Sequence, residues 1–122
     1  MKHMINYETI VEFNLSSNWF GVDGLYDMKE DFTRLKCLKT LKLGTSKLCM
    51  SPKEDGIIAK RLGEVIELFT TIEELDIQEN SINDHKFQYL IEPILLLPNL
   101  KILNLSKNPI TNKTFETFCK CI

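Results

Sequence analysis

The sequence predicts an α/β fold in which about four copies of a strand–turn–helix unit stack so that their strands form one parallel sheet. Three observations predict it. One apolar spacing recurs four times along the 122 residues. Each copy opens with strand-like alternation and continues at helical spacing. A small polar residue stands at the same turn position in every copy.

The first copy carries Ile10, Phe13, Leu15, Asn18 and Phe20, and the second Leu38, Leu41, Leu43, Ser46 and Leu48. The third carries Ile72, Leu75, Ile77, Asn80 and Ile82, and the fourth Leu100, Leu103, Leu105, Asn108 and Ile110. Alternation such as Leu103-Asn104-Leu105 puts both leucines on one face of a strand. The Asn that follows stands where the chain turns. Its amide can bond backbone groups the turn leaves unpaired, and equivalent Asn residues can form a ladder, weakened at Ser46. The repeats run at about 10–37, 38–71, 72–99 and 100–122 of a single domain covering 1–122, with 1–9 as an N-terminal cap or tail. The second is the longer one, and its extra residues are expected in the helix around Gly56 to Ala59 or in the loop leading to it.

Helical spacing follows each strand. In the first repeat Leu25, Met28, Phe32 and Leu35 are expected to face the core, and Gly21 to Gly24 read as a turn rather than a nucleotide loop. In the second, Ser51 reads as an N-cap, Pro52 as the first helical residue and Glu54 as the closing half of a capping box. Ile58, Leu62, Val65, Ile66 and Phe69 then recur on one face. The third uses Phe87, Leu90, Ile91, Ile94 and Leu95, with Pro93 expected to bend or shorten the helix. The fourth uses Phe115, Phe118, Cys119 and Ile122, capped at Thr111 or Asn112. One repeat buries too little apolar surface to offset the entropy of ordering it, so the units must stack.

This strand, turn and helix spacing resembles the ribonuclease-inhibitor-like class of leucine-rich repeats over residues 10 to 122. The resemblance implies a short solenoid with the sheet on its concave face and helices on its convex face. It also implies that the concave sheet is the contact surface. On that face the third repeat carries Glu73, Glu74, Asp76, Gln78 and Glu79, flanked by Lys39, Lys42, Lys101 and Lys107. Lys42 with Asp76, and Glu73 with Lys39 or Lys101, are the expected cross-strand pairs. Lys39, Lys42, Glu73, Glu74, Asp76, Gln78, Lys101 and Asn104 are the candidate partner-binding residues, joined by Trp19. The slot of Trp19 holds Lys47, Ser81 and Pro109 in the other repeats, so the indole is expected at the surface, open to a partner or packed under the N-terminal segment.

Composition narrows the function classes. At 43% hydrophobic and 26% charged residues, the chain has material for a core. Fifteen Lys and Arg against 17 Asp and Glu leave no basic field for a nucleic-acid backbone. The longest apolar run, Ile94 to Leu97, is too short for a bilayer, and residues 1–8 hold no secretory core, so neither membrane nor signal peptide is expected. Cys37, Cys49, Cys119 and Cys121 lack zinc spacing and read as free thiols. His3 and His85 read as exposed. The acidic cluster is a poor calcium cage because lysines stand alongside. No catalytic set and no cofactor are expected.

The sequence reading is therefore a non-enzymatic module that binds a protein partner. It is expected in the cytoplasm, or secreted into a host cell without a classical signal peptide. Richness in Asn, Ile and Lys fits an AT-rich genome and hence a host-directed bacterial effector. The alternative is a structural, self-assembling unit that dimerises through its edges, and the expected state is a monomer or weak homodimer.

Overall fold

The computed structural model describes residues 9–17, 21–46, 48 and 56–120. Four short strands, β1 (Glu12–Asn14), β2 (Thr40–Lys42), β3 (Glu74–Asp76) and β4 (Ile102–Asn104), form one open sheet in the order β1-β2-β3-β4. All neighbours are parallel, and Phe13, Leu41, Leu75 and Leu103 stand in register. Four segments that match in sequence thus match in space.

The strands are short because each runs into the same turn. Ser17, Thr45, Glu79 and Lys107 occupy equivalent positions and all take left-handed φ, between 53° and 63°. None is glycine, so the conformation costs about 1–2 kcal/mol at each. Inter-repeat bonds hold it: Ser17 N–H donates to the Gly44 carbonyl, Thr45 N–H to Gln78 and Glu79 N–H to Ser106.

The turn asparagines act one repeat back. Asn108 Oδ1 accepts from the N–H groups of Asn80 and Ile82 at 2.8 and 3.0 Å, and its Nδ2 donates to the Ile77 carbonyl. Asn80 Oδ1 likewise accepts from Ser46 and Leu48, while Nδ2 donates to the Leu43 carbonyl. Ser46 keeps the donor half of the role, its hydroxyl reaching the Leu15 carbonyl at 3.1 Å. The expected ladder is real, but its rungs run from side chain to backbone.

Helices return the chain between strands: α1 (Gly21–Asp27) and α2 (Lys29–Phe32), α3 (Ile57–Ile66), α4 (Asp84–Phe87) and α5 (Ile91–Leu95), and finally α6 (Asn112–Lys120). The stretch read as a turn, Gly21 to Gly24, instead opens α1, because Val22 and Leu25 lie one helical turn apart and both bury. The capping residues Ser51, Pro52 and Glu54 lie outside the described residues. The described helix starts at Ile57, with Gly56 as N-cap at φ 76°, a conformation glycine adopts without penalty. Ile57 follows Leu48 by nine positions, whereas Asp84 follows Ile82 and Asn112 follows Ile110 by two. Residues 49–55 of the second repeat lie outside the described residues.

Pro93 does more than bend its helix. Lacking an N–H for the Tyr89 carbonyl, it stands in α5, and the helical stretch is divided into α4 and α5 ahead of it. Gly63 of α3 packs against this spot. A Cβ there would lie 2.9 Å from the Tyr89 carbonyl oxygen and 3.0 Å from Pro93 Cγ, so glycine sets the approach of α3 to α5.

The core is one cluster between sheet and helices. Its strand slots in repeats two and three are at most 2% exposed. Those of the first and fourth repeats are half-buried wherever described. Phe32 bridges repeats one and two, edge-on to Phe13 and tilted against Phe69, and Phe87 meets Phe118 across repeats three and four. Not every predicted core residue buries. Met28, Leu95, Phe115 and Cys119 are exposed, Ile122 and Phe20 lie outside the described residues, and Phe118 is the buried anchor of α6.

Candidate functional site: the outer face of the sheet

Side chains that point away from the core alternate with the buried leucines, so register alone assembles the outer face. One column reads Glu12, Thr40, Glu74, Ile102, and the next reads Asn14, Lys42, Asp76, Asn104. The predicted contact residues therefore do come together, except Trp19, which lies outside the described residues.

Their interactions divide them. Glu73 is the centre of an ion cluster, 3.1 Å from Lys39 and 3.8 Å from Lys101, as the sequence predicts. The hydrogen bond from Lys39, and then the charge of Lys101, hold its carboxyl below the usual carboxylate range. Lys107 and Glu79 approach to 3.9 Å across the same pair of repeats. The expected Lys42–Asp76 pair is replaced. Lys42 reaches back to Glu12 at 3.6 Å, and Asp76 turns to its own chain, accepting from the backbone N–H and the side-chain amide of Gln78. The cause is local: a carboxylate or amide two residues before a turn N–H closes a ring without ordering a long partner. Asn14 and Asn104 repeat the device, accepting from the N–H of Ser16 and Ser106. Ser106 Oγ also donates to Asn104, so Asn104 is committed to the turn.

Lys42, paired with Glu12, and Glu74 thus remain the predicted contacts held neither in a turn nor in the Glu73 cluster. Two further residues share the face. Val11 and Ile102 are 53% and 56% exposed, one at each end of the sheet. The signal for them was in the sequence, as apolar residues in columns that otherwise hold Lys, Glu or Thr. Among the described residues, no group of His, Cys, Asp or Glu gathers as metal ligands. Cys37 and Cys119 are free and exposed, and Cys49 and Cys121 lie outside the described residues. His85 is exposed as predicted, edge-on to Tyr89, and His3 lies outside the described residues. No described helix is long and apolar enough to cross a membrane.

The fourth copy of the motif is the segment with a family match. Residues 99–121 are a leucine-rich repeat, matching that family by sequence. The other three strands stand parallel to the strand of this segment and in register with it. A solved structure of leiomodin-1 actin-binding site 2 has the same fold, with a TM-score of 0.69 over 94% of this chain at 18% identity. The chain spans 65% of the length of that structure. No curated protein matches the sequence significantly.

Proposed function

We propose that this chain is a protein-binding module that holds its partner on the outer face of the sheet, the concave side of a short solenoid of the ribonuclease-inhibitor-like kind. The observation that carries the reading is the register. It aligns Thr40, Glu74 and Ile102 beside Lys42, Asp76 and Asn104 on a frame whose turn side chains are already bonded. A partner would order few of the module's own groups, which keeps the entropic cost of association low. The leucine-rich-repeat match at residues 99–121 and the likeness to the actin-binding site 2 domain of leiomodin-1 support a protein as ligand class and binding rather than catalysis.

Lys42 and Glu74 are the residues to test, since neither is fixed in a turn or in the Glu73 cluster. Affinity capture with wild type, with Lys42→Glu plus Glu74→Lys, and with Lys60→Glu on α3 as control gives a direct comparison. The expected result is a partner kept by the wild type and the control and lost by the sheet variant, with unchanged circular dichroism. Equal retention by all three would move the contact surface off the sheet.

A further inference from the structure

Three of the four turns close in the same way. The N–H groups of Ser16, Gln78 and Ser106 each donate to the side-chain oxygen two residues earlier, on Asn14, Asp76 and Asn104, at 2.9–3.1 Å. Gly44 is the equivalent residue of the second repeat, and Lys42 stands in register where the acceptor would be. An ammonium group has three donors and no acceptor. Among the described residues the Gly44 N–H therefore has no hydrogen-bond acceptor, although its neighbours Leu43 and Thr45 donate to the Asp76 and Gln78 carbonyls.

Gly44 is buried, and a shielded backbone donor without an acceptor is rare because it costs about as much as a lost hydrogen bond. Gln78 lies against it: a Cβ at residue 44 would stand 3.0 Å from Gln78 Cγ and 3.5 Å from Asp76 Oδ1. The route to the N–H is set by the other three turns. Their acceptors arrive from the column Asn14, Asp76 and Asn104, on the outer face of the sheet. In the second repeat Lys42 leaves that route by leaning to Glu12, 3.6 Å away.

On the reading that a protein binds the outer face, we infer that the Gly44 N–H is the point at which that face takes an amide oxygen of the partner. The oxygen stands in for the side chain that the second repeat lacks. Two of the three closed turns already use an amide oxygen, on Asn14 and Asn104. Charge favours a neutral amide over a carboxylate. Glu12 and Asp76 flank Lys42 on the neighbouring strands, and a further carboxylate would face both at short range. A backbone donor is fixed before binding, so the bond forms without ordering a side chain of this chain. Lys42 keeps the donor free by being unable to accept.

Lys42→Asn supplies the missing acceptor, and Lys42→Met removes the same charge without supplying one. Amide-proton NMR of the full chain, titrated with N-methylacetamide and separately with acetate at matched ionic strength, reads the donor. The Gly44 resonance should move downfield with N-methylacetamide and less with acetate, while those of Ser16, Gln78 and Ser106 stay in place. Lys42→Met should keep the response and Lys42→Asn abolish it. In urea, Lys42→Asn should raise the folding equilibrium constant over Lys42→Met by about three- to tenfold, the worth of one hydrogen bond. In affinity capture, the partner lost by Lys42→Glu plus Glu74→Lys should be kept by Lys42→Met and weakened about tenfold by Lys42→Asn. A Gly44 amide that does not respond, a larger response to acetate, or equal stability of the two variants overturns the inference. So does a partner that the charge-reversed sheet variant loses but Lys42→Asn and Lys42→Met hold equally, an outcome that leaves the sheet as the contact surface. Capture unaffected by the charge reversal instead removes the sheet as contact surface and, with it, this role of Gly44.

Discussion

The third repeat and the fourth carry nearly the same motif and live in different physical worlds. Ile72, Leu75, Ile77 and Ile82 are fully buried, while Leu100, Leu103, Leu105 and Ile110 stay half-buried. Asn80 is completely enclosed, whereas its equivalent Asn108 is partly open. The difference teaches that a leucine in this motif is only as stabilising as the repeat on its far side. The sequence slot offers the side chain, and the neighbour removes the water. The same asymmetry leaves α6 held by the one buried residue Phe118, while α3 buries Ala59, Leu62, Gly63, Val65 and Ile66.

The largest test of that comparison is truncation in matched slots. Leu75→Ala is expected to cost about 2–5 kcal/mol, and Leu103→Ala about 1–2 kcal/mol because part of its surface is already wet. Urea unfolding of the two variants measures the gap, and equal losses would break the comparison. Asn80→Ala should follow at about 2–3 kcal/mol, since it strands the N–H groups of Ser46 and Leu48 and the Leu43 carbonyl in a dry turn. Asn108→Ala should cost less, because water can reach part of what it leaves.

Gly63→Ala pushes a methyl group into the Tyr89 carbonyl and should destabilise by about 1–3 kcal/mol in thermal or urea melts. Thr45→Gly works in the other direction. Thr45 is a β-branched residue at φ 55°, so relief of strain should stabilise by about 0.5–1 kcal/mol, with the backbone bond from residue 45 N–H to the Gln78 carbonyl kept.

The smallest effect is electrostatic. The Glu73 carboxyl is lowered by Lys39 and Lys101, so its contribution is complete above the unfolded-state pKa. It fades as pH falls through the lower folded-state value. The stability difference between wild type and Glu73→Gln should therefore be constant near neutral pH and shrink in acid. Asp84 is lowered in the same sense by the backbone N–H and then the hydroxyl of Thr111, each at 2.8 Å, which ties repeat three to repeat four just ahead of α6. A Glu73 difference that grew in acid would contradict the ion cluster.

Much of this molecule was determined by sequence alone. Strand alternation has a period of two and helical burial a period of 3.6, so Phe13, Leu41, Leu75 and Leu103 could be aligned before any coordinates, and the outer columns followed. Glu73 with its two lysines was legible for the same reason, because register alone brings them together. What register leaves open was not. Only the tertiary structure decided that Asp76 turns to Gln78 and leaves Lys42 to Glu12, or that non-glycine residues hold left-handed turns against inter-repeat bonds. Likewise it decided that Phe115 stays exposed while Phe118 of the same helix is buried. Local periodicity states which face a side chain takes, and the presence or absence of a neighbour on that face settles what the side chain is worth there.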